Sequence, residues 1–187
     1  NISIFVRGAA SELARTWSAM QSNVITAILV IFLLLVILLK SFSMPLIILL
    51  VVPVASTGGI AALALLNQFI KQPLDMLTML GFVILTGIVV NNAILLVEQT
   101  ILQVKEEGMQ IYDAIVEATR NRIRPIFMST LTSLFGLVPL VIFPGAGSEL
   151  YRGIGVVVFG GLALSTFATL LIVPPLLSVF SKSIQKN

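Results

Sequence analysis

Five stretches of this chain are each mostly apolar for about the 20 residues that a helix needs to cross the hydrocarbon layer of a bilayer. They lie near residues 24–39, 46–66, 77–97, 125–143 and 154–179. A helix satisfies all of its own backbone hydrogen bonds, which lipid cannot do for it. Composition agrees with the pattern. Hydrophobic residues make up 58% of the chain and charged ones 10%, with a mean hydropathy of +1.10. A soluble domain carries about 25% charged residues. The sequence therefore predicts an all-α membrane protein built as a bundle of five transmembrane helices.

The connections are of two kinds. Those over 40–45, 67–75 and 144–153 are short. The link over 99–124 is longer and has its own pattern, with Ile111, Ala114, Ile115 and Ala118 at i, i+3, i+4 and i+7. Asp113, Glu117 and Arg120 fall off that line. This spacing predicts a separate cytoplasmic, interfacial amphipathic helix near 109–121, lying along the membrane surface. On one side of the membrane stand Lys40, Lys105, Arg120, Arg122, Arg124, Lys182 and Lys186, and on the other Arg7, Arg15, Lys71 and Arg152. The positive-inside rule puts the first set in the cytoplasm. Residues 181–187 then form a cytoplasmic tail, and residues 1–22 an external segment. Arg7, Glu12 and Arg15 interrupt any short apolar core of a signal peptide. The chain begins at Asn1 and reads as a piece of something longer. Trp17, with Leu13 and Met20 at helical spacing, reads as an interface anchor.

Close packing and hydrogen bonds, more than the hydrophobic effect, hold helices together inside lipid. Small residues four apart offer close approach: Thr57 with Ala61, Gly58 with Ala62, and the line Gly161, Ser165, Thr169. Pro53, Pro139 and Pro174 each remove a backbone donor, so kinks are expected there.

Several functions are excluded or unsupported by residue type. Cysteine and histidine are both absent, which removes thiolate and imidazole metal ligands and the usual base for activating a serine. The segment Gly145 to Ser148, "GAGS", lacks the lysine of a phosphate-binding loop. No enzyme reading, cofactor or metal site follows. The net charge of +3 is scattered, so nothing favours nucleic acid.

Two adjacent carboxamides, Asn91 and Asn92, interrupt the third apolar stretch. One asparagine is enough for an interhelical clip, and neighbours on a helix point about 100° apart. Glu98 follows Asn91 by two turns, and Arg122 precedes Ser129 by two turns, with Thr130 next. Both groups start from the same side of the membrane, so they can meet at similar depth. Intramembrane polar clusters of this kind mark ion or proton paths, and they also serve as packing clips.

The stretch "GIVVNNAILLVE" (87–98), followed by "RIRPIFMSTLTSLFGLVPLVIFPGAGSELYRGIGVVVFGGLALSTFATLLIVPPLL" (122–177), resembles the resistance-nodulation-division efflux permeases of the hydrophobe/amphiphile branch. The resemblance runs from about Ser11 to Phe180 and implies spans eight to twelve of a twelve-span transporter. It also implies a homotrimer in the bacterial inner membrane, driven by the proton motive force without a cofactor. Its partners would be the lipid bilayer, the N-terminal half of the same chain, a periplasmic adaptor and an outer-membrane channel. Such permeases use a proton relay of two aspartates on span four, a lysine on span ten, and arginine and hydroxyl residues on span eleven. The resemblance places Asn91 at the lysine position, Asn92 beside it, and Arg122 and Ser129 at the arginine and hydroxyl positions, with Thr130 adjoining. Asn91 departs from the family pattern, because it can donate a hydrogen bond but carries no charge. Two alternatives stay open: a relative that exports metal ions or lipids, and a non-transporting membrane scaffold or accessory subunit. Met76 and Met79 are the residues that would bear on the metal reading.

Overall fold

In the computed structural model, six helices follow one another among the described residues, with short turns between them: α1 (Ile2–Leu39), α2 (Ser43–Leu49), α3 (Val51–Leu66), α4 (Met76–Lys105), α5 (Ile111–Ile142) and α6 (Ser148–Val179). The structure describes residues 2–143, 145 and 147–180, the side chains of 2–17, 19, 20, 148 and 149 excepted. The anchor expected at Trp17 and the tail at 181–187 lie outside what is described. Five stretches are long and apolar enough to cross a membrane: Gln21–Leu39, Ser43–Leu66, Met76–Lys105, Ile111–Ile142 and Leu150–Val179. The all-α membrane architecture is as the sequence predicts.

The second span is dented. Pro53 cannot donate to the carbonyl of Leu49, and the helix is divided there at Leu50 into α2 and α3. Pro125, Pro139, Pro174 and Pro175 all lie within continuous helices.

The link between the third and fourth spans differs from expectation. The amphipathic stretch is helical, but it is not a separate helix lying along the membrane surface. It runs unbroken through Pro125 into the fourth span as α5. Ala114, Ile115 and Ala118 are buried, and Ile115 and Ala118 join the main apolar core. The apolar line of this stretch thus packs on protein, which holds the helix straight onto its span. Pro125 and Asn121 are exposed, so the carbonyl that Pro125 leaves without its donor is not trapped in the core. At about 1.5 Å per residue, the 32 residues of α5 span roughly 48 Å, well beyond an ~30 Å hydrocarbon layer.

The core is centred on α6, which packs against α3, α4 and α5. At the α3–α6 crossing, Gly58 and Gly160 face each other so closely that a Cβ on Gly160 would lie 2.6 Å from the Gly58 carbonyl oxygen. Ala62 packs at the same place. Of the two small-residue pairs expected in the second span, this is the one that is used. Thr57 and Ala61 are exposed, and the Thr57 hydroxyl donates to the Val54 carbonyl at 2.7 Å. Gly161, Ser165 and Thr169 form a buried line, with Gly161 against Leu85 and the Ala55 carbonyl. Phe127 of α5 and Phe167 of α6 meet edge to face at 6.2 Å. By contrast, α1 leaves Ile25, Leu29, Leu33, Leu34 and Ile37 exposed, a face suited to lipid or to further helices.

Candidate functional site

α4 is started by Asp75, whose carboxylate accepts from the Thr78 N–H at 2.8 Å and from the Thr78 hydroxyl at 2.7 Å. One stripe of the helix is buried: Leu85, Val89, Ala93, Leu96, Thr100 and Gln103. The opposite stripe is uncovered, through Leu80, Ile84, Gly87, Asn91, Glu98 and Leu102. Asn91 therefore stands on the open face, and Asn92, half-buried, at its edge. Neither carboxamide has a hydrogen-bond partner among the described residues.

The chain reverses over 106–110. The Met109 N–H reaches back to the Gln103 carbonyl at 3.2 Å, and Gly108 takes φ 66°. That left-handed conformation suits glycine, which has no Cβ to clash. α5 then returns antiparallel to α4. Arg122 is half-buried, and its Nη2 donates to Gln99 Oε1 of α4 at 3.1 Å. Seven residues further along each helix, in opposite directions, stand Asn92 and Ser129. Two turns of rise place both about 10.5 Å from the Arg122–Gln99 contact, at the same level. Ser129 is exposed, and its hydroxyl donates to the Ile126 carbonyl at 3.0 Å.

Thr130 points elsewhere. It is buried, with its hydroxyl 2.9 Å from that of Thr166 on α6. The single Thr166 proton goes to the Leu162 carbonyl at 2.8 Å, so Thr130 is the donor in this pair. This is an interhelical clip between α5 and α6.

Of the five residues singled out from the sequence, Asn91, Asn92 and Ser129 thus share one region of the α4–α5 surface, Arg122 lies two turns below it, and Thr130 faces α6. Two partners escaped the sequence reading. Gln99 lies seven residues after Asn92, and that spacing was available as a signal. Thr166 was one hydroxyl among several in α6 and gave none. The open region also contains two glycines without neighbours: nothing lies within 4 Å of where a Cβ would stand on Gly87 or Gly136. Small residues with no neighbour, beside carboxamides with no partner, form a surface shaped for close approach of another helix. Glu98 belongs to a different feature. It lines a cleft of about 220 Å³ with Leu38, Leu39, Lys40, Ile101, Leu102 and Lys105. Among the described residues no cluster of acidic side chains could hold a metal ion.

Comparison with known proteins identifies the lineage. Residues 2–181 match the model of the AcrB/AcrD/AcrF family. The multidrug resistance protein MdtC of Erwinia tasmaniensis is 36% identical over 173 residues, 90% of this chain and 16% of its own length. MdtC of Pectobacterium carotovorum is 34% identical over 181 residues, 95% of this chain and 17% of its own. MdtC of Salmonella paratyphi A is 35% identical over 175 residues, 94% of this chain and 17% of its own. The chain thus spans about a sixth of the length of the relatives it matches. It belongs to the AcrB/AcrD/AcrF family, the resistance-nodulation-division permeases that its own motifs resemble.

Proposed function

We propose that this chain is the C-terminal membrane part of a proton-coupled efflux permease for drugs and other amphiphiles, and that its α4–α5 face completes a transmembrane proton relay. One observation carries the reading. Asn91, Asn92 and Ser129, with Gly87 and Gly136, form a polar, small-residue surface on which, among the described residues, neither carboxamide has a hydrogen-bond partner and neither glycine a close neighbour. In a membrane such a surface is costly unless another element covers it. The family membership and the names of the relatives, multidrug resistance proteins, support one reading of that element. It is a helix of the remaining permease bearing the relay carboxylates.

In this account Asn91 acts as a neutral donor to an ionised carboxylate. On protonation of that carboxylate the hydrogen bond weakens, because a charged acceptor is held about twice as strongly as a neutral one. The conformational bias is therefore of the same sign as a lysine would give, and smaller. Arg122, held by Gln99, supplies the fixed positive charge two turns away, and Ser129 stands at the level of the asparagines. Thr130 fixes α5 to α6 and so sets which side of α5 Ser129 occupies. The permease lies in the bacterial inner membrane with the C-terminus of this chain in the cytoplasm. It works as a homotrimer with a periplasmic adaptor and an outer-membrane channel, and the proton motive force drives it.

The test is transport by the native full-length protein in proteoliposomes. An imposed pH gradient is expected to drive uptake of an amphiphilic dye, and a protonophore to abolish it. A protein that inserts and assembles but moves no dye and dissipates no gradient would contradict the proposal.

A further inference from the structure

The N-terminal end of α6 holds a cation that its own surroundings do not neutralise. Arg152 lies in the second turn of α6 and is only 6% exposed. Its Nε is fully enclosed and bonded to nothing. No carboxylate stands within ion-pair distance of its guanidinium among the described residues. Taking a guanidinium out of water without a counter-charge is strongly unfavourable.

The neighbourhood is polar, and part of it is committed to capping α4. Gln72 and Thr78 are buried beside Gly153, where an added side chain would run into both. Asp75 spends its Oδ1 on the Thr78 N–H and hydroxyl in capping α4. The backbone of α6 adds positive character at the same place. Its N-cap is Gly147, at φ 93°, with no side-chain capping hydrogen bond. The first N–H groups of a 32-residue helix therefore receive no side-chain acceptor from the cap, and the positive end of its dipole lies there. Side chains on a helix lean towards its N-terminus, which brings the Arg152 guanidinium towards those N–H groups. Two positive features converge, and neither has a side-chain partner among the described residues.

We infer that Arg152 and the first turn of α6 form an oxyanion site, and that its occupant is a side-chain carboxylate from a part of the native polypeptide outside these residues. A carboxylate accepts two parallel N–H bonds from a guanidinium and suits a helix N-terminus equally well. A fixed side chain is favoured over a diffusing anion because Arg152 is almost completely enclosed. The relatives also have roughly six times the length from which to supply the side chain. The inference rests on the native polypeptide being longer than this chain, and not on its transporting anything.

The experiment uses the native full-length protein purified in detergent, with thermal unfolding as the readout, so that failure of transport does not bear on it. R152M is expected to lower Tm by several degrees, because it strands a buried carboxylate. R152K should retain part of the loss, since it keeps the charge without the fork. E149Q should leave Tm unchanged, and inorganic phosphate at constant ionic strength should not raise it. Three results would each overturn the inference. R152M could be as stable as the parent or more so. E149Q could reproduce the loss, making the partner local. Phosphate could stabilise the parent and not R152M, making the occupant a free anion. If R152M does not fold, a suppressor screen decides: rescue by a single Asp→Asn or Glu→Gln change outside these residues is expected, and its absence overturns the site.

Discussion

Gly160→Ala tests the packing of α6 at its tightest point. The new methyl would meet Ala62 and lie 2.6 Å from the Gly58 carbonyl oxygen. A backbone oxygen in a helix cannot swing aside, so the helices must separate. Reaching ordinary contact at 3.4 Å with that oxygen needs about 0.8 Å of movement, and the closer Ala62 methyl needs more. A gap of that size forfeits a quarter to a half of each dispersion contact around it. Overpacking of this kind costs about 1–3 kcal/mol. The gain in helix preference from Gly to Ala offsets about 0.5–1 kcal/mol of this. The middle of these ranges leaves a net loss of about 1 kcal/mol, or roughly 2–5 °C in Tm for a chain of this size. Gly155→Ala is the control, because its methyl meets only the side-chain ends of Leu140 and Val141, at 3.1 and 3.3 Å. Those can give by a few tenths of an ångström, and the expected change is near zero. SDS-driven unfolding followed by far-UV circular dichroism measures both. Equal stability of the two variants, in either direction, would refute the claim that a backbone-to-backbone crossing of α3 and α6 organises the bundle.

Other consequences are smaller. Thr130→Val removes the donor to Thr166 and should cost about 0.6–1.7 kcal/mol. A double-mutant cycle with Thr166→Val should show coupling of similar size, and strict additivity would contradict the clip. Asp75→Ala deletes the cap of α4 and should cost about 0.5–2 kcal/mol in the same unfolding assay. Gly108→Ala forces a Cβ into a left-handed conformation at φ 66°, with nothing within 4 Å to blame on packing. Its cost should be about 1–2 kcal/mol, all of it from the backbone.

The spans were legible because a run of about 20 apolar residues has few other uses. Helix ends were less so, for definable reasons. α4 continues to Lys105, past Glu98, because polar residues at the end of a span can stay helical once they leave the hydrocarbon. The join of the amphipathic stretch to its span was missed at Pro125. Proline disfavours helix at the residue before it, so Arg124 reads as a boundary. What overrides this is tertiary: Ala114, Ile115 and Ala118 are buried against the rest of the bundle, and the helix is pinned on both sides of the proline. Within the candidate site, Asn91 and Asn92 stood out because carboxamides are conspicuous in an apolar run. Spacing alone could not show that Thr130 faces α6 while Ser129 faces outward, because adjacent residues differ by about 100° and the roll of α5 is set by Phe167 and Thr166. The orphaned Arg152 gave no sign in the sequence, where it counts as one loop cation among four.

The most direct measurement is proton-driven efflux by the native full-length protein carrying Asn91→Leu, with Leu33→Ala on the exposed face of α1 as a control. The account predicts that Asn91→Leu inserts and assembles normally but loses most of its coupled transport, while the control keeps it. Undiminished efflux in Asn91→Leu would contradict the central claim, that the open α4–α5 face is where this chain meets the proton site.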